Sequence, residues 1–234
     1  SAIISFRQNK PRLVIDYKLG REMFVYGWQT ELSSLIQFVN YRVVYFLILY
    51  FAGISEVGIY STAIAIAESI WVISRSISTV LYSKVINVAS NDEGIYYTKV
   101  SVRYSIWFSA LLYVVLLIMP ISLYSFIFGK DFGAIKPVLF FICPGILAMS
   151  LNLVYGHYFS AIGNTNILLN KSLVGILFTV VLAPLLLKIY GMKGAAVATS
   201  ISYLASTIYL AYYFYKVTEF KLVDFKVDLK ELKA

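Results

Sequence analysis

One histidine, His157, and one cysteine, Cys143, are all that this chain of 234 residues holds of either type. A lone cysteine excludes an internal disulfide, and one imidazole with one thiol cannot complete a tetrahedral zinc site unaided. Charge is scarce too. Asp, Glu, Lys and Arg make up 14% of the residues and hydrophobic ones 60%, whereas a soluble domain is about a quarter charged. No HExxH, CxxC, GxSxG or phosphate-cradling glycine loop occurs, so the signatures of metalloprotease, thiol-redox, serine-hydrolase and nucleotide chemistry are missing. No cofactor, metal or catalytic residue is expected.

Apolar length is what the chain has instead. A mean hydropathy of +0.78 points to a polytopic membrane protein, because about 20 apolar residues suffice for one span. Six spans are expected, at about 24–51, 57–85, 100–128, 137–162, 168–189 and 195–215. The third should break near Pro120 and the fourth should kink at Pro144-Gly145, where proline removes a backbone bond. The fold class is all-α integral membrane, six transmembrane helices forming one bundle. Its divisions are a cytoplasmic linker end at 1–22, the bundle at 23–216 and a cytoplasmic basic tail at 217–234, resting on the anionic inner leaflet. The polar stretch 87–99 reads as a connection, helical in part.

The net charge of +8 invites a nucleic-acid reading until the basic residues are placed. Arg7, Lys10, Arg12, Lys18, Arg21, Lys84, Lys99, Arg103, Lys171, Lys216, Lys221, Lys226, Lys230 and Lys233 fall on the side of the N-terminal segment. Lys130, Lys136, Lys188 and Lys193 fall on the other. That bias puts both ends in the cytoplasm and explains the charge without nucleic acid. The chain opens at Ser1 without a methionine, and is expected to be the C-terminal part of a longer protein.

Four charges fall inside spans. Glu31 and Arg42 are eleven residues apart in the first span, about three helical turns, and so lie near one stripe. Gln37, Asn40 and Ser33 fall close to it, while Val43, Phe46, Leu47 and Tyr50 form a lipid-like opposite side. Glu68 and Arg75 are seven apart in the second span and share a face. Each such charge costs about 2.5–3.5 kcal/mol at the bilayer centre on insertion scales. Two readings stand. The charges pair as buried salt bridges that fix helix register, or they line a polar cavity in which arginines meet an anionic substrate. The expense of intramembrane charge favours the second. Tyr26, Tyr41, Tyr45 and Tyr60 are candidates to face the same cavity, whereas His157 reads as a packed or water-bonded helix residue. Stripes of small residues, Gly194-Ala198-Ser202-Ser206 and Ser61-Ala65-Ser69, read as surfaces where helices approach closely.

Gln-Phe-Val-Asn-Tyr-Arg at 37–42 after Tyr26-Gly27 resembles the seventh span of polysaccharide flippases. Val57-Gly-Ile-Tyr-Ser-Thr-Ala63 with Ala67-Glu68 resembles the start of their eighth, and Tyr190-Gly-Met-Lys-Gly-Ala-Ala-Val-Ala-Thr199 the turn into their twelfth. The chain is thus similar, over nearly its whole length, to the C-terminal half of the oligosaccharide and polysaccharide flippases of the multidrug/oligosaccharidyl-lipid/polysaccharide exporter superfamily. The resemblance implies two six-helix bundles around a central cavity, moving lipid-linked oligosaccharide across a bacterial or archaeal cytoplasmic membrane by alternating access. The implied partners are the anionic pyrophosphate-linked substrate, the missing N-terminal six-helix half and the bilayer. Substrate-binding residues would be Arg42, Arg75, Asn40, Gln37 and Tyr41, with Glu31 and Glu68 as their charge partners. Many relatives carry an Asp where this chain has Val44, which puts acid-based ion coupling there in doubt. The rivals are a multidrug exporter of the same architecture, which calls for an acidic cavity, and a polytopic glycan-modifying enzyme, which calls for a larger loop than any here.

Overall fold

The computed structural model describes residues 17–218 apart from Ala89. The expected linker as far as residue 16 and the tail from residue 219 lie outside the described residues. Among the described residues eight α-helices follow one another: α1 Tyr17–Ala52, α2 Ile54–Glu68, α3 Trp71–Asn87, α4 Asn91–Ile118, α5 Ile121–Phe128, α6 Ile135–Ala161, α7 Thr165–Tyr190 and α8 Met192–Thr218. A 3₁₀ turn, Lys130–Ala134, joins α5 to α6. No strand occurs among the described residues. Helices satisfy their own backbone groups, which is what lets them stand in hydrocarbon. Five are long and apolar enough to cross a membrane, and α2 with α3, bent by 43° at their break, makes a sixth when the pair is taken as one span.

Local sequence explains the joints. At Gly53 the backbone takes φ 93° while its N–H reaches back to the carbonyls of Ile48 and Leu49. Only glycine adopts that region without strain, so the chain turns back within one residue. Pro120 ends the first part of the third span, α4 stopping at Ile118 and α5 restarting at Ile121. One expectation changes. The polar stretch 87–99 is mostly helix, because Ser90 accepts from the Glu93 N–H at 3.3 Å and two acids, Asp92 and Glu93, sit in the first turn. Such a cap satisfies an orphan donor and favours the helix dipole. And α6 runs through Pro144 as one helix.

The second span is not the single helix expected over 57–85. Neither proline nor glycine interrupts it. Ile70 N–H bonds to Ala67 O and Val72 N–H to Ser69 O, three residues back instead of four. The Ser69 hydroxyl donates to Ile66 O at 2.7 Å, capturing a carbonyl of the ladder. A side chain inserted in this way bends a helix. Glu68 is therefore the last residue of α2, at the elbow of the span.

Packing then fixes the bundle. On α1 the buried residues are Ser33, Asn40, Val44 and Ile48, a stripe with helical spacing that faces α7 and α8. Phe46 and Tyr50 are exposed as the lipid-like side requires, but Val43 and Leu47 pack against the core. Helix α8 lies against both α6 and α7. Its small residues Gly194, Ala198, Ser202 and Ser206 are all buried. Gly145 of α6 meets α8 so closely that a Cβ there would stand 2.6 Å from Ser200 Cα. Close approach between backbones is how small residues join helices where lipid removes the hydrophobic drive.

Candidate functional site: a polar cavity within the bundle

A cavity of about 620 Å³ opens between α1, α3, α6 and α7. Volumes of about 300–1,000 Å³ are those of ligand sites. Its walls come from Thr30 to Tyr41 on α1, Thr79 and Tyr82 near the end of α3, Asn152 to Ser160 near the end of α6, and Leu168 and Lys171 near the start of α7. Because neighbouring spans run antiparallel, all these stretches meet in the half of the bundle nearest the start of α1. Hydroxyls and amides dominate the polar part of the lining, and no acidic side chain contributes to it among the described residues.

The one cation in the lining is Lys171. The basic-residue bias counts it with the loops at the N-terminal side, but α7 begins at Thr165, not at 168, which carries Lys171 well inside the bundle. Its ammonium donates to Asn152 Oδ1 at 3.1 Å and to Gln37 Oε1 at 3.3 Å, tying α7 to α6 and α1. Asn152 is itself held by α8, its Nδ2 donating to Ser206 Oγ at 3.4 Å and Thr207 Oγ1 at 3.3 Å. His157 shares the cavity wall, with Nδ1 2.8 Å from Leu153 O and the edge of its ring toward Tyr82. It is a packed helix residue with one face on the cavity.

Of the residues singled out in the sequence, Gln37 and Tyr41 line this cavity. Tyr41 is braced by Tyr203, edge-on at 5.7 Å, and by Trp71 at 6.1 Å. Asn40 turns away from it. Its Nδ2 donates to Ser202 Oγ at 3.3 Å within the α1–α8 seam. Arg42 is exposed and rests against the ring faces of Phe38 and Tyr45, at 5.5 and 5.6 Å. Arg75 is exposed on α3, and Glu31 is exposed on α1. Glu68, half-buried at the elbow, has Arg75 and Arg42 as its charged neighbours. Tyr26 donates to Ser160 O at 3.2 Å on the rim, and Tyr60 is buried against Thr199 Oγ1 at 2.9 Å.

Lys171 and Asn152 are the site residues that sequence reasoning passed over. The signal for both was Gly163-Asn-Thr-Asn166: a turn that tight starts the next helix at once and sends residue 171 inward.

Comparison with known proteins agrees with this architecture. The sequence profile of the family described as "Polysaccharide biosynthesis protein" matches residues 1–137. A probable low-salt glycan biosynthesis flippase of Haloferax volcanii is 23% identical over 201 residues, covering 84% of this chain and 42% of that protein. A capsular polysaccharide biosynthesis protein of Staphylococcus aureus is 25% identical over 199 residues, covering 84% and 50%. The chain therefore spans about half the length of the curated relatives it matches. Among solved structures, a MOP superfamily transporter from Pyrococcus furiosus, described as having a binding pocket of reverse polarity, superposes with a TM-score of 0.70 at 16% identity, over 91% of this chain and 49% of that one. An outward-facing multidrug resistance MATE transporter of the same superfamily gives 0.66 at 16% identity, over 91% and 49%. These likenesses show the fold, matched over about half of each of those chains. With more than half its length matched by the profile, the chain belongs to the polysaccharide biosynthesis protein family.

Proposed function

We propose that this chain is the second six-helix half of a flippase that carries lipid-linked oligosaccharide across the cytoplasmic membrane by alternating access. The observation that carries the proposal is the cavity: a ligand-sized space whose largely apolar walls hold Thr30, Ser34, Tyr82, Asn152 and Ser160, with a lysine inside it. Hydroxyl and amide walls suit a saccharide. A cation suits its acidic attachments, because charge-assisted hydrogen bonds are the strong ones.

In this scheme the partner half closes the open side of α1, α2 and α3. Arg42 and Arg75 attract the diphosphate of the carrier there, and Glu68 holds them between cycles, with Glu31 nearer the headgroups. Gln37 and Tyr41 touch the saccharide, while Asn40 keeps α1 seated against α8. No bond is made or broken, so the protein acts by binding and releasing alone. Both ends face the cytoplasm, on the strength of the basic-residue bias, and the cavity then lies in the cytoplasmic half, where cargo loads. A drug exporter for cationic compounds calls for acidic walls, and among the described residues the only charged wall residue is basic.

The test is export of glycan in cells at matched expression of the full-length protein. Arg42→Ala and Arg75→Ala are each expected to lower export at least about tenfold, the loss of roughly 1.4 kcal/mol of charge-assisted binding. Unchanged export in both variants removes the arginines from the mechanism. Drug efflux that depends on the protein, with surface glycan intact in its absence, overturns the flippase assignment.

A further inference from the structure

Lys171 is a charge without a countercharge. Its acceptors, Gln37 Oε1 and Asn152 Oδ1, are neutral amide oxygens, and no carboxylate bears on it among the described residues. Ammonium groups away from bulk water are ordinarily paired with an anion. An ammonium has three hydrogens, and these two bonds use two of them.

Gln37 adds a second unspent donor beside the first. The ammonium can only donate, so the glutamine oxygen must face it and the glutamine Nε2 must point elsewhere. That Nε2 is buried and has no hydrogen-bond partner in the structure. The Tyr41 hydroxyl is a neighbour of the amide but does not meet hydrogen-bond geometry with it. An unmade bond at a buried donor costs about 1–3 kcal/mol. Asn152 cannot swing round to relieve the arrangement, being held from behind by Ser206 and Thr207. Two helices thus present donors in excess of acceptors to one cavity, with a net positive charge and hydroxyl walls around them.

We infer that Lys171 and Gln37 bind an acid group on the saccharide itself, so that the cargo of this protein is an acidic sugar, its carboxylate accepting from Lys171 Nζ and Gln37 Nε2. The assignment rests on the flippase proposal only in treating the cavity as the cargo's. The arginines proposed for the carrier diphosphate do not line this cavity, and Lys171 is left to meet a separate anionic group. A phosphate oxygen would satisfy the same donors, and the probes must therefore separate the two sources.

The experiment measures binding of three probes to the purified full-length protein in detergent: a glucuronate-terminated disaccharide, the matched neutral glucose disaccharide, and inorganic pyrophosphate. The wild type is expected to bind the acidic disaccharide at least tenfold more tightly than the neutral one. Lys171→Met should abolish that preference and Lys171→Arg should keep most of it. Gln37→Glu, which sets a carboxylate beside the ammonium, should also abolish it, and it serves if Lys171→Met does not fold. Equal affinity for the two sugars overturns the inference, as does a preference that survives both Lys171→Met and Gln37→Glu. Pyrophosphate binding that is lost in Lys171→Met, without any sugar preference in the wild type, assigns the donors to the carrier and overturns it too. Flipping of lipid-linked sugar in proteoliposomes is scored separately: a sugar preference without flipping leaves this site standing and refutes the transport proposal, and flipping without a preference does the reverse.

Discussion

Trp71 Nε1 donates to the Ile146 carbonyl at 3.1 Å, one residue past the elbow of the second span. The bond pins the start of α3 to the middle of α6, just where the span's backbone bonds reach back three residues instead of four. The same indole packs on Tyr203 at 5.9 Å and on Tyr41 at 6.1 Å, and Tyr41 is a wall of the cavity. Cavity shape is therefore tied to the elbow through one side chain.

Trp71→Phe keeps an aromatic ring in this position and removes the donor. The Ile146 carbonyl still accepts from Ser150 Oγ at 3.2 Å, so it is not orphaned, and the expected loss is that of a net hydrogen bond plus a small void, about 1–2 kcal/mol. Thermal unfolding of the purified full-length protein should show a lower midpoint. An unchanged midpoint means the bond contributes nothing.

Gly145 is expected to tolerate no side chain. A Cβ there would stand 2.6 Å from Ser200 Cα and 3.0 Å from its Oγ, and the first of these atoms is backbone. Gly145→Ala should force α6 and α8 apart at a cost of about 1–3 kcal/mol, the usual scale of overpacking. Adding Ser200→Gly takes away the serine side chain but leaves the backbone atom that stands nearest, so unfolding experiments on the pair should show partial rescue. Full rescue would locate the strain in the serine side chain instead of the helix backbone.

The Trp71 bond and the Gly145 crossing mark where sequence reading succeeds and where it stops. Span number was legible because about 20 apolar residues are a length requirement set by the bilayer, and the small residues of α8 were legible as a close-packing stripe. The elbow at Glu68 was not, because Ser69 is a common helix residue and only its hydroxyl's bond to Ile66 O makes it a breaker. Lys171 was counted with a loop because of its nearness in sequence to a turn, and its place on the cavity wall was missed. Asn40 was grouped with the wet stripe by angle alone. The stripe that α1 buries is Ser33, Asn40, Val44 and Ile48, and which stripe faces protein depends on the neighbouring helices.

The elbow gives a distance measurement. Ile54 and Ile86 are exposed near the two ends of the bent span, and cysteines there can carry spin labels once Cys143 is replaced by Ala. Ser69→Ala removes the hydroxyl that captures Ile66 O and lets the four-residue ladder close. From the rise of about 1.5 Å per residue, straightening a 43° bend lengthens the separation by at most about 4 Å. A lengthening of a few ångströms is expected. An unchanged distance shows that the bend is imposed by packing on α6, with Ser69 a bystander.

Asn40 separates seating from substrate contact. Its Nδ2 bonds to Ser202 Oγ, which donates in turn to Gly175 O at 2.7 Å, so the residue closes a chain of bonds through α1, α8 and α7. Its Oδ1 is buried and unpaired, which limits the net gain. Asn40→Ala should therefore lower the unfolding midpoint by the equivalent of about 1 kcal/mol and leave export per folded molecule unaltered. Gln37→Ala, one helical turn away on the cavity wall, loses the bond from Lys171 and should lower the midpoint by a similar amount, but with export per folded molecule reduced severalfold. The physical reason is that each residue loses a bond made within the protein, whereas only Gln37 also loses a donor aimed at cargo. If Asn40→Ala instead keeps the midpoint and lowers export, the asparagine belongs with the substrate, and α1 presents two faces to it.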